Sequence, residues 1–358
     1  MSISSTDKKI AFVTSEYQDI EYSSGGLKLN CVLLNFLTEI GYEIDLFVDK
    51  LVKNDKNLCK NVYSINDFEK KRQEYNYILS DKAIVPSDIT YVHDHSYPFR
   101  INMMSNPFAH FLYKIISRKS HNKRLEEYKK TKENLGKTKV IIVSSEILKQ
   151  DIVENYGINP NSIHIISPPT EDFQILHKRN NIFTFGISAV GFKRKGGYLT
   201  ISAIRRLKKL GKDFKVKFIY PSKNLWVEIL LKIFGIEKFC EFLPIQNDMG
   251  KFYNSIDCLL MPSLIEPFGM VTTEALSCGV PVITAQHCGG SSFVQDGKNG
   301  FVFDFSLKTK TNLAQAMEKI LNLSDVEYSE MQDFAKKSII GLSDKDFCEK
   351  YLKILNTL

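Results

Sequence analysis

Glu266 and Glu274, separated by seven residues, bracket the turn Pro267-Phe268-Gly269 within PSLIEPFGMVTTEALSCGVPVIT, Pro262 to Thr284. Gly269 permits close backbone approach, and a helix starting there points the amides of Gly269, Met270 and Val271 outward as an anion site. Glu266 then precedes the helix end and Glu274 lies about one turn inside it. Two carboxylates flanking an anion hole suit a ligand with hydroxyls on either side of a phosphate, because one carboxylate accepts from two vicinal hydroxyls. A capping Glu266 and a surface Glu274 would each be ordinary alone, but the whole segment agrees with the ligand reading. A second cluster is Gly191-Phe192-Lys193-Arg194-Lys195-Gly196-Gly197, between a strand and a basic helix. Cations in a glycine-bearing turn at a helix start suit a diphosphate, against the plainer reading of three solvated charges. A third is Tyr91-Val92-His93-Asp94-His95-Ser96-Tyr97-Pro98, where a strand end presents two imidazoles. Lone histidines are more often structural, and metal is a minor reading because no further Cys/His cluster accompanies them.

These residues need strands to deliver them and helices to back them. Short β-rich runs alternate with helical patterns throughout, which indicates parallel α/β architecture. Strands are expected at 9–15, 42–48, 89–93 and 139–143, with helices at 27–40, 107–117 and 146–156. Ser167-Pro168-Pro169-Thr170 breaks the rhythm, since paired prolines continue neither element. Beyond it, strands are expected at 183–188, 214–220, 257–261, 280–284 and 300–303, and helices at 198–210, 249–255 and 271–277. Three helical patterns close the chain. The expected domains are 1–168, 169–340, and a final helical segment 341–358 that crosses back to the first.

With 358 residues the chain exceeds one hydrophobic core, consistent with two domains. Seven scattered cysteines, none in a C-x-x-C pair, point to a reducing compartment rather than a disulfide or zinc framework. No apolar run reaches the ~20 residues of a membrane span, and the N-terminus lacks a signal-peptide core. Leu225 to Phe234 is the most apolar stretch and contains Glu228 and Lys232. Net charge is +7, concentrated in Lys114 to Lys139 and Lys193 to Lys217, the latter with ten basic residues and one acidic. Nucleic acid is not the expected partner, because these windows lack interleaved aromatics. Phe108, Phe111, Leu112, Ile115 and Ile116 recur at helical spacing beside Arg118, Lys119, Lys123 and Arg124. That stripe reads either as core or as a surface for anionic membrane.

On Glu266 to Glu274 and the segment around them, the sequence resembles the retaining glycosyltransferases of the GT-B fold, glycosyltransferase family four, also called glycosyl transferases group 1. The resemblance implies two Rossmann-like domains facing each other across a central cleft. It implies Glu266 near the donor sugar hydroxyls, Glu274 on the ribose hydroxyls, and donor contacts from Phe268, Gly269, Met270 and Val271. Lys195-Gly196 match the second half of the family's G-R…K-G arrangement. The arginine of the first half has no counterpart at Ala189, Val190 or Phe192, so Lys193 or Arg194 supplies the second charge. Ser24-Gly25-Gly26 resembles the family's glycine loop near the donor phosphates. His95, with His93 on the acceptor side, matches an H-x-H pattern at the sugar end. Cys288-Gly289-Gly290 and Asp296-Gly297-Lys298-Asn299-Gly300 resemble the family's G-G…D-G-x-N-G region and are assigned to architecture.

The implied activity is transfer of a hexose-like sugar from a nucleoside-diphosphate sugar, with retention, to a glycan or lipid-linked acceptor, with Lys195, Glu266 and His95 as the catalytic set. No cofactor or essential metal is expected, and the setting is cytoplasmic or peripheral at the inner membrane face. The competing readings are a non-catalytic GT-B nucleotide-binding or partner subunit and a GT-B sugar-nucleotide isomerase.

Overall fold

The computed structural model describes residues 9–17, 26–51, 59–104, 118–171, 173, 179–221, 225–305 and 309–358. Contacts divide the chain into two units, Met1–Pro169 with Leu342–Leu358, and Thr170–Gly341.

Among the described residues of unit 1, seven parallel strands form one sheet in the order β3-β2-β1-β4-β5-β6-β7. They are β1 Lys9–Tyr17, β2 Glu43–Leu51, β3 Asn61–Ser64, β4 Tyr77–Asp81, β5 Ile89–Val92, β6 Val140–Val143 and β7 Ile163–Ile165. The buried runs of β1 and β6 are apolar on both faces, as strands covered by helices must be. The helices are α1 Gly26–Glu39, α2 Phe68–Lys71, α3 Tyr97–Met104, α4 Arg118–Lys137 and α5 Glu146–Asp151. The pattern expected over 146–156 divides here. Helix α5 passes into a π-helical turn over Ile152–Tyr156, closed by left-handed Gly157. Helix α4 carries no sequence period because only Asn134 and Leu135 are buried along it.

Unit 2 repeats the plan with six described strands ordered β10-β9-β8-β11-β12-β13. These are β8 Thr184–Ser188, β9 Lys215–Ile219, β10 Cys240–Leu243, β11 Cys258–Met261, β12 Val282–Ala285 and β13 Gly300–Phe303. Its helices are α6 Gly197–Lys209, α7 Leu225–Phe234, α8 Met249–Asn254, α9 Met270–Ser277, α10 Thr309–Leu321 and α11 Asp325–Lys337. Helix α6 buries Ile201, Ile204 and Leu207 and leaves its basic residues outside, the arrangement its period dictates. Buried Asp257 joins the base of β8 to β11 by accepting from Thr184 N at 2.6 Å and Asn180 N at 2.7 Å.

The last helix, α12 Asp344–Leu355, begins at a Ser343–Asp346 capping box. It sends Phe347, Tyr351 and Leu355 into the core of unit 1 beside Leu33, Leu34 and Leu37. The expected helix at 107–117 and the apolar stripe from Phe108 to Ile116 lie outside the described residues.

Candidate functional site

In an open parallel sheet, the crevice for ligands lies beyond the carboxyl ends of the strands where the connection order reverses. In unit 2 that reversal falls between β8 and β11, which pair directly. The loop after β8 is Ala189 to Gly196 and the loop after β11 is Pro262 to Gly269, so the strand order brings the cation cluster against the first glutamate.

The contacts follow. Lys195 Nζ and Arg194 Nη1 both approach Glu266 Oε2, the arginine at 3.4 Å. Arg194 also donates to Ile265 O at 3.2 Å, and Leu264 N donates to Arg194 O at 2.7 Å. The lysine and glutamate side chains are 14% and 12% exposed, which places a nearly dry ion pair at the strand ends. Lys193 is exposed and stands outside this cluster. Gly196 adopts φ +78°, and a Cβ there would lie 2.0 Å from Pro262 O, so glycine is what lets the two loops touch.

Helix α9 starts at Met270 with left-handed Gly269 as its N-cap and no side-chain cap. As first-turn groups, the amides of Met270 and Val271 have no helical carbonyl to bond, and the helix dipole places positive potential there. Phe268 is buried and packs edge-on against Phe293. Only its backbone is placed to serve a ligand, because the ring belongs to the core. Gly289 N donates to Glu266 O at 3.0 Å and Gly290 N to Phe268 O at 2.5 Å, so Gly289-Gly290 buttresses the Glu266 loop. Glu274 is half-buried on α9 and accepts from the Tyr253 hydroxyl at 2.5 Å. Burial first, then that carboxylate, pushes the Tyr253 phenol well above its ordinary pKa and keeps it a donor.

In unit 1 the strand order reverses between β1 and β4. Gly25 lies outside the described residues, and Gly26 opens α1. His93 and His95 follow β5 and are tied to different carboxylates, which separates their roles. His93 Nε2 lies 2.6 Å from Asp81 Oδ1, while Thr14 Oγ1 and Asn30 Nδ2 donate to Asp81 Oδ2 at 3.2 Å and 3.3 Å. Burial alone would raise the Asp81 pKa. The His93 imidazole, the Lys82 charge and the Asn30 donor together outweigh it and hold the carboxyl below its ordinary value. His95 is fully buried, with Nδ1 2.8 Å from Asp151 Oδ2 and its ring stacked on Phe99 at 3.9 Å. Asp151 also accepts from Ser96 N at 2.7 Å and Asn155 Nδ2 at 2.8 Å. Among the described residues His95 Nε2 has no hydrogen-bond partner. His95 lines a hollow of about 560 Å³ together with Lys82, Tyr97, Arg100, Arg124 and Tyr128. Tyr253, Asp81 and Asp151 are functional-site neighbours that no sequence motif marks. Among the described residues no group of three or more His, Cys, Asp or Glu is placed to hold a metal ion.

Residues 169–338 match the family model described as glycosyl transferases group 1. The C-terminal half belongs to that family. Both loops of the unit 2 site and all of α9 fall inside the matched residues. Among curated relatives, the lipopolysaccharide glucosyltransferase WaaG of Escherichia coli strain K12 is 26% identical over 208 residues, covering 54% of this chain and 55% of WaaG. A D-inositol 3-phosphate glycosyltransferase of Corynebacterium kroppenstedtii is 24% identical over 188 residues, covering 46% of this chain and 42% of that protein. The chain thus spans about half the length of the curated relatives it matches.

Solved structures agree over nearly the whole chain. The crystal structure of WaaG superimposes with a TM-score of 0.75 at 18% identity, over 96% of this chain and 99% of that one. Anabaena HepE in complex with UDP gives 0.73 at 15% identity, over 98% of this chain and 100% of that one. The chain therefore has the GT-B fold, with two Rossmann-like units, as the resemblance implied.

Proposed function

We propose that this protein is a retaining glycosyltransferase that moves a hexose-like sugar from a nucleoside-diphosphate sugar to a glycan or lipid-linked acceptor. One observation carries the reading: Lys195 and Arg194 meet Glu266 at the reversal point of unit 2, beside the amino end of α9. The cluster retains one net positive charge, and the helix end adds to it, so a diphosphate is attracted there. Glu274 on α9 takes the ribose hydroxyls, and Glu266 faces those of the sugar.

As the bond from the anomeric carbon to the leaving phosphate oxygen breaks, Lys195 and the amides of Met270 and Val271 stabilise the charge developing on the diphosphate. The acceptor oxygen bonds to the anomeric carbon on the same face, and its proton passes to the departing phosphate oxygen. Each preorganised donor of this kind contributes a few kcal/mol, roughly a hundredfold or more in rate. His95, at the wall of the unit 1 hollow, orients the sugar or the acceptor. Support comes from the family match over unit 2, from relatives named as glycosyltransferases, and from HepE, solved with UDP. No described helix is long and apolar enough to cross a membrane, and a peripheral position at the inner face belongs to this same reading.

A thermal-shift series with UDP, GDP, ADP and CMP, repeated on Glu274→Ala, tests the donor site. One nucleotide should stabilise the parent protein and fail to stabilise the variant. Lys195→Ala should lower kcat by about tenfold or more with folding intact. No shift with any nucleotide would transfer the weight to a non-catalytic partner subunit.

A further inference from the structure

The outward face of α7 is apolar where a surface helix ordinarily carries charge. Leu225, Trp226 and Ile233 are 70%, 71% and 70% exposed. Trp226 and Ile233 are two turns apart and therefore share a face, with half-buried Ile229 and Leu230 between them. Val227 and Leu231 are buried, so the helix is anchored by its inner side and presents the rest by construction. A cluster of large exposed apolar side chains marks an interaction surface rather than ordinary surface scatter.

The neighbouring helix supplies charge of one sign. Arg205 of α6 lies over the Phe234 ring at 4.4 Å, and Lys208 Nζ donates to Phe234 O and Gly235 O at 3.2 Å and 2.9 Å. These contacts seat the basic end of α6 against the end of α7. Arg205, Arg206 and Lys209 line, with Lys310, a hollow of about 250 Å³. Among the described residues neither Arg206 nor Lys209 meets a carboxylate. A protein partner would have to match both an apolar ridge and an acidic strip, whereas an anionic bilayer offers both at every point. An indole prefers the boundary between headgroups and acyl chains, aliphatic side chains enter below it, and cations meet the phosphates.

We propose that the α6–α7 face of unit 2 docks on an anionic lipid surface. This rests on the peripheral position within the proposed function, but the docking face involves none of the residues assigned to the donor site, so its failure is distinguishable from failure of the transfer reading. Trp226 is the chain's single tryptophan, so its emission reports on this face alone. The full chain is mixed with phosphatidylcholine vesicles, with or without about a third phosphatidylglycerol, and with brominated acyl chains for quenching. The expected result is a blue shift and quenching on the anionic vesicles, with partition onto neutral ones at least about tenfold weaker. Trp226→Ser with Ile233→Ser should lower co-sedimentation about tenfold or more, and Arg206→Gln with Lys209→Gln should do likewise, with circular dichroism unchanged. Unchanged emission on anionic vesicles overturns the proposal, even if the protein sediments, because the contact would then lie elsewhere. A blue shift without lipid that grows with protein concentration also overturns it and assigns the face to a second copy.

Discussion

Tyr253 holds Glu274 from a separate helix, 21 residues away in the chain, through a hydrogen bond of 2.5 Å. Tyr253→Phe keeps the packing and removes only the donor. It should raise the nucleoside-diphosphate Kd about fivefold, the equivalent of one lost hydrogen bond, with little change in Tm. Isothermal titration against the parent protein decides it, and equal affinities would detach Glu274 from nucleotide binding. Asp81 offers a second test. Its folded pKa is depressed from 3.8, so its contribution to stability is present above that value and lost as pH falls through the lower folded one. Asp81→Asn should destabilise unit 1 by about 1–3 kcal/mol at neutral pH and flatten the acid limb of a urea stability profile. Lys195, Glu266 and Glu274 were legible because glycine-marked turns and charges coincide in short segments. Tyr253, Asp81 and Asp151 were not, because each is a single polar residue whose importance comes from a partner brought close by folding.

At the scale of elements, the site depends on two loops that touch because glycine stands at the contact. Gly196 meets Pro262, and Gly289 meets Pro267 with a Cβ position only 1.9 Å from the carbonyl oxygen. Gly196→Ala both clashes and strains a left-handed backbone, at an expected destabilisation of about 2 kcal/mol or more. It should lower donor binding along with Tm. A variant with unchanged melting and nucleotide binding would show that the loops tolerate separation. The strands and helices with strong apolar runs were legible, among them β1, β6, β11, α1 and α6. Strands β3 and β10 were not, since edge strands half-open to solvent lack a continuous apolar run. Helix α4 was missed for a related reason, as a nearly all-polar helix has no face to read.

At the scale of the whole molecule, the chain's last segment completes the core of its first unit. Tyr351 and Leu355 are 1% and 0% exposed among residues that precede position 170 in the chain. Removing residues 342–358 should therefore abolish the cooperative thermal transition of unit 1 while unit 2 still melts. Differential scanning calorimetry of the truncated chain reads this directly, and two preserved transitions would refute it. Tyr351→Ala should act in the same direction more mildly, by about 3–5 kcal/mol, the range for a buried aromatic reduced to alanine.

The sequence by itself determined the α/β class, the alternation of elements and the segments that carry charge and glycine, because these depend on local period and turn chemistry. The tertiary structure decided which of those segments meet. Strand order alone sets Lys195 on Glu266, since β8 and β11 are neighbours in space while β9 and β10 intervene in the chain. It likewise assigned His93 to Asp81 and His95 to Asp151, and turned the outer face of α7 toward solvent. Such contacts arise from packing between distant segments, and no spacing along the chain encodes them.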